Sequence, residues 1–194
     1  MRIGIISDTH GSLSCWQKVM STLFQDVDLI VHAGDILYHG PRNPLPENYQ
    51  PRGLAEAVNN LSVPLVIAQG NCDAEVDQMM INWPLQAPYA FLQIENLRIL
   101  VNHGHSLSAA EREAQAHRFK VQLFVFGHTH IPLLEKKGDI IYLNQGSPSL
   151  PKENWEPTVA FLENGVVGLL GIDSGNCLQE AQFVIIVLAL LSLL

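Results

Sequence analysis

Five times along this chain a short apolar run breaks into a polar, glycine-containing motif, and that recurrence limits the folds open to it. Ile3-Gly4-Ile5-Ile6 runs into Ser7-Asp8-Thr9-His10-Gly11, and Leu29-Ile30-Val31-His32-Ala33 into Gly34-Asp35. Leu65-Val66-Ile67-Ala68-Gln69 runs into Gly70-Asn71-Cys72-Asp73. Leu97-Arg98-Ile99-Leu100-Val101 runs into Asn102-His103-Gly104-His105, and Leu123-Phe124-Val125-Phe126 into Gly127-His128-Thr129-His130. Short runs rich in β-branched and aromatic residues, bounded by turn formers, read as strands, some buried on both faces. Helical patterns lie between several of them. Ser12 to Phe24 sets Leu13, Trp16, Val19, Met20 and Leu23 near one face. Ser106 or Ser108 can cap a helix through Ala116, with Glu111 and Glu113 in its early turns. Strands alternating with helices predict an α/β fold whose strand ends point one way. The five motifs then converge at the carboxyl ends of strands, where such folds bind ligands.

The second half carries a different signal. Glu95-Asn96, Lys137-Gly138-Asp139, Asn164-Gly165 and Asp173-Ser174-Gly175-Asn176 read as hairpin turns between apolar runs. The expectation is a mixed structure with two sheets rather than one doubly wound sheet. Residues 40–52 hold Pro41, Pro44, Pro46 and Pro51 and predict an extended, non-helical loop. It follows Gly34-Asp35 closely enough to overhang the site.

No repeat, low-complexity tract or linker interrupts the sequence, so residues 1–194 are expected to form one domain. A hydrophobic content of 47% against 15% charged residues excludes a largely disordered chain. The net charge of −8 argues against a nucleic-acid-binding surface, which needs cations to displace counterions from phosphates. Small phosphorylated substrates stay open, because bound divalent cations reverse the local field. Cys15, Cys72 and Cys177 are odd in number and far apart, which favours a reducing compartment over a disulfide framework. With no secretory signal pattern at the start, the expected location is the cytoplasm. The uncharged apolar segment 181–194 is shorter than the ~20 residues of a membrane-spanning helix. It reads as a buried final strand, a docked helix or a homo-oligomer contact, with membrane association as a further alternative.

Taken singly, each motif has an ordinary structural explanation. Asp8-Thr9-His10 suits a turn and helix cap, and Gly34-Asp35 a strand-to-loop junction. Gly70-Asn71 suits a tight turn with Asn71 left-handed. The pairs His103-x-His105 and His128-x-His130 say more. Two apart on an extended segment, both rings project to one side and can converge on a metal. The conjunction outweighs its parts: of eight histidines, five (His10, His103, His105, His128 and His130) fall in these motifs. Imidazoles mixed with carboxylates and one amide oxygen suit Mn²⁺, Fe²⁺, Co²⁺ or Zn²⁺ better than Ca²⁺. The lack of thiolate clusters argues against a structural zinc site. Asp35, with two carboxylate oxygens, can bridge two ions.

The order Asp-x-His, Gly-Asp, Gly-Asn, His-Gly-His and Gly-His-Thr-His resembles the signature of the calcineurin-like metallophosphoesterases, from residue 3 to about residue 150. Within that superfamily, Ile5 to Gly11 and Gly70 to Asp73 are similar to the small bacterial phosphodiesterases of the YfcE type. His39-Gly40-Pro41-Arg42-Asn43 and Asn144-Gln145-Gly146-Ser147 support the likeness. The resemblance implies two mixed β-sheets packed as a sandwich flanked by helices, with a dinuclear centre at the strand ends. Carried over by position, it implies Asp8, His10 and His130 on one metal, Asn71, His103 and His128 on the other, and Asp35 bridging. The implied ions are two divalent metals, Mn²⁺ foremost, with Zn²⁺, Fe²⁺, Co²⁺ and Ni²⁺ as alternatives. The implied reaction is hydrolysis of a small phosphodiester by a metal-bridging hydroxide, with ions ~3.5–4 Å apart lowering the pKa of that water. Asp35, Asn71, Cys72 and His105 are the residues expected at the reacting atoms.

One position departs from the wider superfamily, many of whose members carry histidine after the Gly-Asn pair to protonate the leaving oxygen. Here it is Cys72. A thiol with a reference pKa of ~8.5 is a poorer donor than an imidazole at ~6.5, so activity is expected to depend steeply on leaving-group acidity. The plainer reading makes Cys72 a packing residue. Asp73 is expected to cap the segment through Met80. His105 reads as a donor to a ligand, a phosphate contact or a structural residue. Arg42 reads as a phosphate contact or a solvated surface residue, and Ser147 as a turn residue between Gly146 and Pro148. Two other functions compete: a phosphomonoesterase on the same centre, and a non-catalytic protein-binding scaffold of the retromer-subunit type. Against the scaffold, all seven carried-over positions hold residues able to ligate a metal.

Overall fold

The computed structural model describes residues 1–183. The chain runs β1 (Arg2–Ile6), α1 (Leu13–Thr22), β2 (Leu29–His32), α2 (Pro51–Asn59), β3 (Leu65–Ala68) and α3 (Glu75–Met80). It continues through β4 (Leu85–Gln86), β5 (Ala90–Ile94), β6 (Leu97–Val101), α4 (Ala109–Phe119) and β7 (Leu123–Phe126). It closes with β8 (Leu133–Lys137), β9 (Ile140–Asn144), β10 (Thr158–Glu163), β11 (Val166–Gly171) and β12 (Cys177–Gln182). All five apolar runs are strands. They divide between a seven-stranded sheet, ordered β12-β11-β10-β1-β2-β3-β4, and a five-stranded sheet, ordered β5-β6-β7-β9-β8. β1 to β4 are parallel, as are β6, β7 and β9. The four expected hairpins all close antiparallel pairs. In the turn between β10 and β11, Asn164 and Gly165 both take positive φ (50° and 79°), which matches the twist of the flanking strands.

The continuous apolar runs are explained by two-sided burial. Along β7, Leu123 and Val125 enter the core between the sheets, while Phe124 and Phe126 face the layer under α4. Along β2, Leu29 and Val31 face the inter-sheet core, and Ile30 packs in the layer with Trp16 and Val19 of α1 and Leu54 and Val58 of α2. The architecture is therefore two mixed sheets packed face to face with helices outside, as expected.

The helix starts follow local rules. Ser12 caps α1, its Oγ accepting from the Cys15 N–H (3.4 Å). Of the two candidate serines, Ser108 caps α4, exchanging hydrogen bonds with Glu111 in a capping box. The proline-rich loop carries no helix or strand from 40 to 50, but α2 begins at Pro51, two residues before the expected loop end. Proline fits there because the first helical turn needs no donor from it. Of the apolar segment 181–194, Ala181 and Gln182 belong to β12, and Ala181 and Phe183 pack against the inter-sheet core. Its remainder, 184–194, lies outside the described residues.

Candidate metal centre

The carboxyl ends of β1, β2 and β3 in one sheet meet those of β6 and β7 in the other. Backbone bonds sew the loops together: Asp8 N–H donates to Gly34 O (2.9 Å), His10 N–H to Asp35 O (3.1 Å) and Gly127 N–H to His103 O (2.9 Å). The His128 N–H donates across the gap to Asp8 Oδ2 (3.1 Å). Of three groups of possible ligands, two join one carboxylate to two imidazoles and are called the donor sets, Asp8–His10–His130 and Asp35–His103–His128, with the ligand atoms of each within 4.8 Å of one another. They adjoin, since His10 Nε2 lies 3.7 Å from Asp8 Oδ1 and 3.8 Å from Asp35 Oδ2.

Backbone carbonyls fix which ring nitrogens face inward. His10 Nδ1 donates to Tyr38 O, His103 Nδ1 to Ala33 O and His130 Nδ1 to Leu150 O, each at 2.8 Å. A carbonyl only accepts, so each Nδ1 carries a proton and each Nε2 is the nitrogen turned inward, the one free to ligate a metal. His10 Nε2 and His130 Nε2 are then 3.0 Å apart, with Asp8 Oδ1 3.3 Å from His130. His103 Nε2 is buried without a hydrogen-bond partner, 3.2 Å from Asp35 Oδ2. The two buried carboxylates, Asp8 and Asp35, repel one another across this cluster, and a cation among the donors would offset that repulsion. Burial favours the neutral acids, but His130 and His103 beside Asp8, and His103 beside Asp35, hold both carboxyls below the usual range. Burial also lowers His103, but Asp35 and Asp8 outweigh it and push its imidazole up to about 9. These residues fit divalent cations of the borderline type that take imidazole and carboxylate.

The backbone is bent to reach this arrangement. Asp8, His10, Asp35, His128 and His130 all have φ between 47° and 71°. Aspartate and histidine tolerate the left-handed region better than most residues, yet each such residue still costs ~1 kcal/mol or more. Asn71 is not among them, so the expected left-handed turn at Asn71 is not formed. The space is kept by glycine: a Cβ on Gly70 would fall 2.1 Å from Asp35 Oδ1. Asp73 does not cap α3, as the sequence suggested. Its buried carboxylate instead accepts from the N–H groups of Asp35 (2.8 Å), Ile36 (2.8 Å) and Gly70 (2.7 Å), while Asp77 accepts from Ala74 at the helix start. Burial, and then the charge of Asp35, push Asp73 up to about 6 against those three donors.

The paired histidines divide as the carried-over positions have them and not as their spacing alone suggests. His128 and His130 do not converge on one point but serve different donor sets, because the left-handed backbone between them is not an extended strand. Of His103 and His105 only the first joins a set. His105 is exposed at the rim, its ring centroid 5.5 Å from that of His103 and 6.1 Å from that of His128. Cys72 is drawn in, its Sγ grouped with His10 and Asp35, and its backbone N–H donates to Asp35 Oδ1 (2.8 Å). Burial, and then Asp35, push its thiol up to about 12. Asn71 is exposed, and its Nδ2 donates to Cys72 Sγ (3.3 Å). Arg42 is exposed. Ser147 is more than a turn residue, since its buried hydroxyl donates to Asp8 O (2.8 Å) and accepts from Leu150 N–H (2.9 Å).

Sequence reasoning passed over two supporting groups. Gln145 Nε2 donates to Ser7 Oγ, which donates to Asp8 Oδ2, and this chain orients the carboxylate from behind. His32 is fully buried beneath the Gly34-Asp35 turn. Its Nδ1 accepts from the Gly34 N–H (3.1 Å), and its Nε2 donates to Thr9 Oγ1 (3.1 Å), whose proton goes to Ile36 O (3.0 Å). His32 ends β2 and Gln145 directly follows β9, and neither position gave a spacing signal.

Known proteins resemble this chain over most of its length. The chain is 34% identical to phosphodiesterase YfcE of Escherichia coli K12 over 181 residues, covering 93% of this chain and 97% of that protein. A solved structure of the E. coli phosphoesterase superposes with a TM-score of 0.85 at 32% identity, covering 94% of this chain and all of that one. Wild-type Vps29 from Entamoeba histolytica, solved with Zn²⁺, shares the fold at a TM-score of 0.66 and 17% identity, covering 94% of this chain and 99% of that one. The family model of the calcineurin-like phosphoesterase superfamily domain matches residues 1–165, and the chain belongs to that superfamily.

Proposed function

We propose that this protein is a metal-dependent phosphodiesterase of the cytoplasm, acting on a small phosphodiester at a dinuclear centre. The observation that carries the reading is the pair of adjoining donor sets, whose inward Nε2 atoms are fixed by backbone carbonyls. Asp8, His10 and His130 would hold one ion and His103, His128 and Asn71 the other, and Asp35 would serve both. Mn²⁺ is the metal proposed, since imidazole, carboxylate and amide oxygen all suit it. Two such ions supply, when bound, positive charge for the phosphoryl oxygens and a lowered pKa for a water between them. The chain does the rest. Asp35 and Asp8 keep their charge in a buried site, the Nδ1 contacts keep the three rings from turning, and His105 at the rim stands ready to contact a phosphoryl oxygen. Cys72 occupies the place beside the leaving group.

The test uses chelator-stripped protein with a chromogenic phosphodiester and the matching monoester, with and without Mn²⁺. Metal-restored turnover favouring the diester is expected. Turnover mainly on the monoester would move the assignment to a phosphomonoesterase. Two bound ions without turnover would point to a binding scaffold.

A further inference from the structure

Beside the donor sets lies a cavity of about 360 Å³ that the metal ligands do not account for. Tyr38, Tyr49, Cys72, Val76 and Met80 line it, with Arg52 on its solvent side. Its near wall belongs to the centre. Cys72 Sγ is grouped with His10 and Asp35, and the Tyr38 carbonyl accepts from His10 Nδ1. The Cys72 side chain is therefore common to the donor groups and the cavity wall.

The cavity is apolar and unusually exposed. Tyr38 is 41% exposed, Val76 59% and Met80 42%. Of the eight large apolar side chains exposed among the described residues, three (Tyr38, Val76 and Met80) line this cavity. Apolar surface gathered around one concavity marks a binding site rather than scattered exposure. One side is an aromatic stack, with Tyr38 edge-on to His39 (centroids 4.7 Å apart) and His39 edge-on to Tyr49 (5.2 Å). The charges nearby disfavour a second anion: Asp77 lines the cavity, and Arg52 is already paired with Glu56 at 3.2 Å.

A phosphodiester has one negative charge and two organic groups. The charge belongs at the donor sets, and an organic group must lie beside them. We infer that the cavity is the subsite for one ester group of the substrate, an uncharged aromatic or heteroaromatic ring packed between Tyr38 and the Val76–Met80 face of α3. The inference rests on the phosphodiester reading, and its test is one of binding, so that the two can fail separately.

Phenylphosphonate and methylphosphonate present the same anionic head to the centre and differ only in the organic group. Titration calorimetry on the Mn²⁺-loaded protein is expected to show phenylphosphonate binding about tenfold tighter, a difference of ~1.4 kcal/mol. The V76S/M80S double variant, and separately Tyr38→Ala, should each bring that ratio close to one. Equal affinities in the unsubstituted protein would overturn the subsite. So would a phenyl preference that survives both variants, since the ring would then sit elsewhere. Equal affinities with a double variant that sediments as a smaller species would assign the face to a second copy of the chain. A phenyl preference lost in the variants, in a protein that turns over no diester, would keep the subsite and sink only the phosphodiesterase reading.

Discussion

His32 illustrates how a residue outside the donor sets is bound into their chemistry. It is neutral because burial holds its imidazole down to about 3, and its Nδ1 must stay unprotonated to accept from the Gly34 N–H. The unfolded ring titrates near its ordinary value of 6.5. Between these values the unfolded chain binds a proton that the folded chain does not, so stability is full above pH 6.5 and falls as pH drops below it. The slope approaches ~1.4 kcal/mol per pH unit, or about 2 kcal/mol between pH 7.5 and pH 5. Denaturant unfolding of chelated protein should therefore show the stability gap between wild type and His32→Gln shrinking by about that amount over the interval. A gap that does not change with pH would mean the folded ring titrates normally. Cys72 makes a second residue-level prediction, since its Sγ is grouped with His10 and Asp35 and a thiol pushed up to about 12 is a poor proton donor to a leaving oxygen. With Mn²⁺ saturating, Cys72→His should raise turnover of an alkyl-leaving-group diester by ~10²-fold while changing the p-nitrophenyl diester little. An unchanged rate with both metals still bound would leave Cys72 as packing.

At the level of elements, the strands and the motifs at their ends were legible because the cause is local: apolar runs with turn formers after them. The hairpins and the Ser108 cap were legible for the same reason. The backbone of the motifs was not. Left-handed Asp8, His10, Asp35, His128 and His130 are held by contacts between loops far apart in sequence, which no window of residues reveals. Asp73 is the clearest case. Its position one residue before the α3 cap suggested a helix start, yet its carboxylate ties the loop after β2 to the loop after β3 through three N–H donors. Asp73→Asn replaces an acceptor by an amide whose N–H₂ must face at least one of those donors. It should cost ~1–3 kcal/mol in stability. Because the tie aims Asp35, affinity for the second metal should also fall by ~10–100-fold in titration calorimetry. Lost stability with unchanged metal affinity would show that the tie serves the fold alone.

On the scale of the whole molecule, each donor set draws from both sheets. Asp8 and His10 follow β1 in the seven-stranded sheet, and their partner His130 follows β7 in the five-stranded one. Asp35 follows β2, and its partners His103 and His128 follow β6 and β7. An ion in either set would therefore clamp the two sheets together where the inter-sheet core gives way to polar loops. It would also offset the repulsion between the buried carboxylates of Asp8 and Asp35, which the folded chain otherwise bears and the unfolded chain does not. Metal binding should thus appear as stability as well as activity. At a free Mn²⁺ concentration 100 times the dissociation constant, one site contributes about 2.7 kcal/mol. For a chain of this length that corresponds to a rise in Tm of roughly 5–11 °C per site, reversed by chelator. His130→Ala and His103→Ala disable one set each, so each should keep part of the rise, and the double variant should lose it. If either single variant abolished the whole rise, the sets would bind as one cooperative unit. If neither reduced it, the stabilising ion would lie elsewhere and the clamp across the sheets would be wrong.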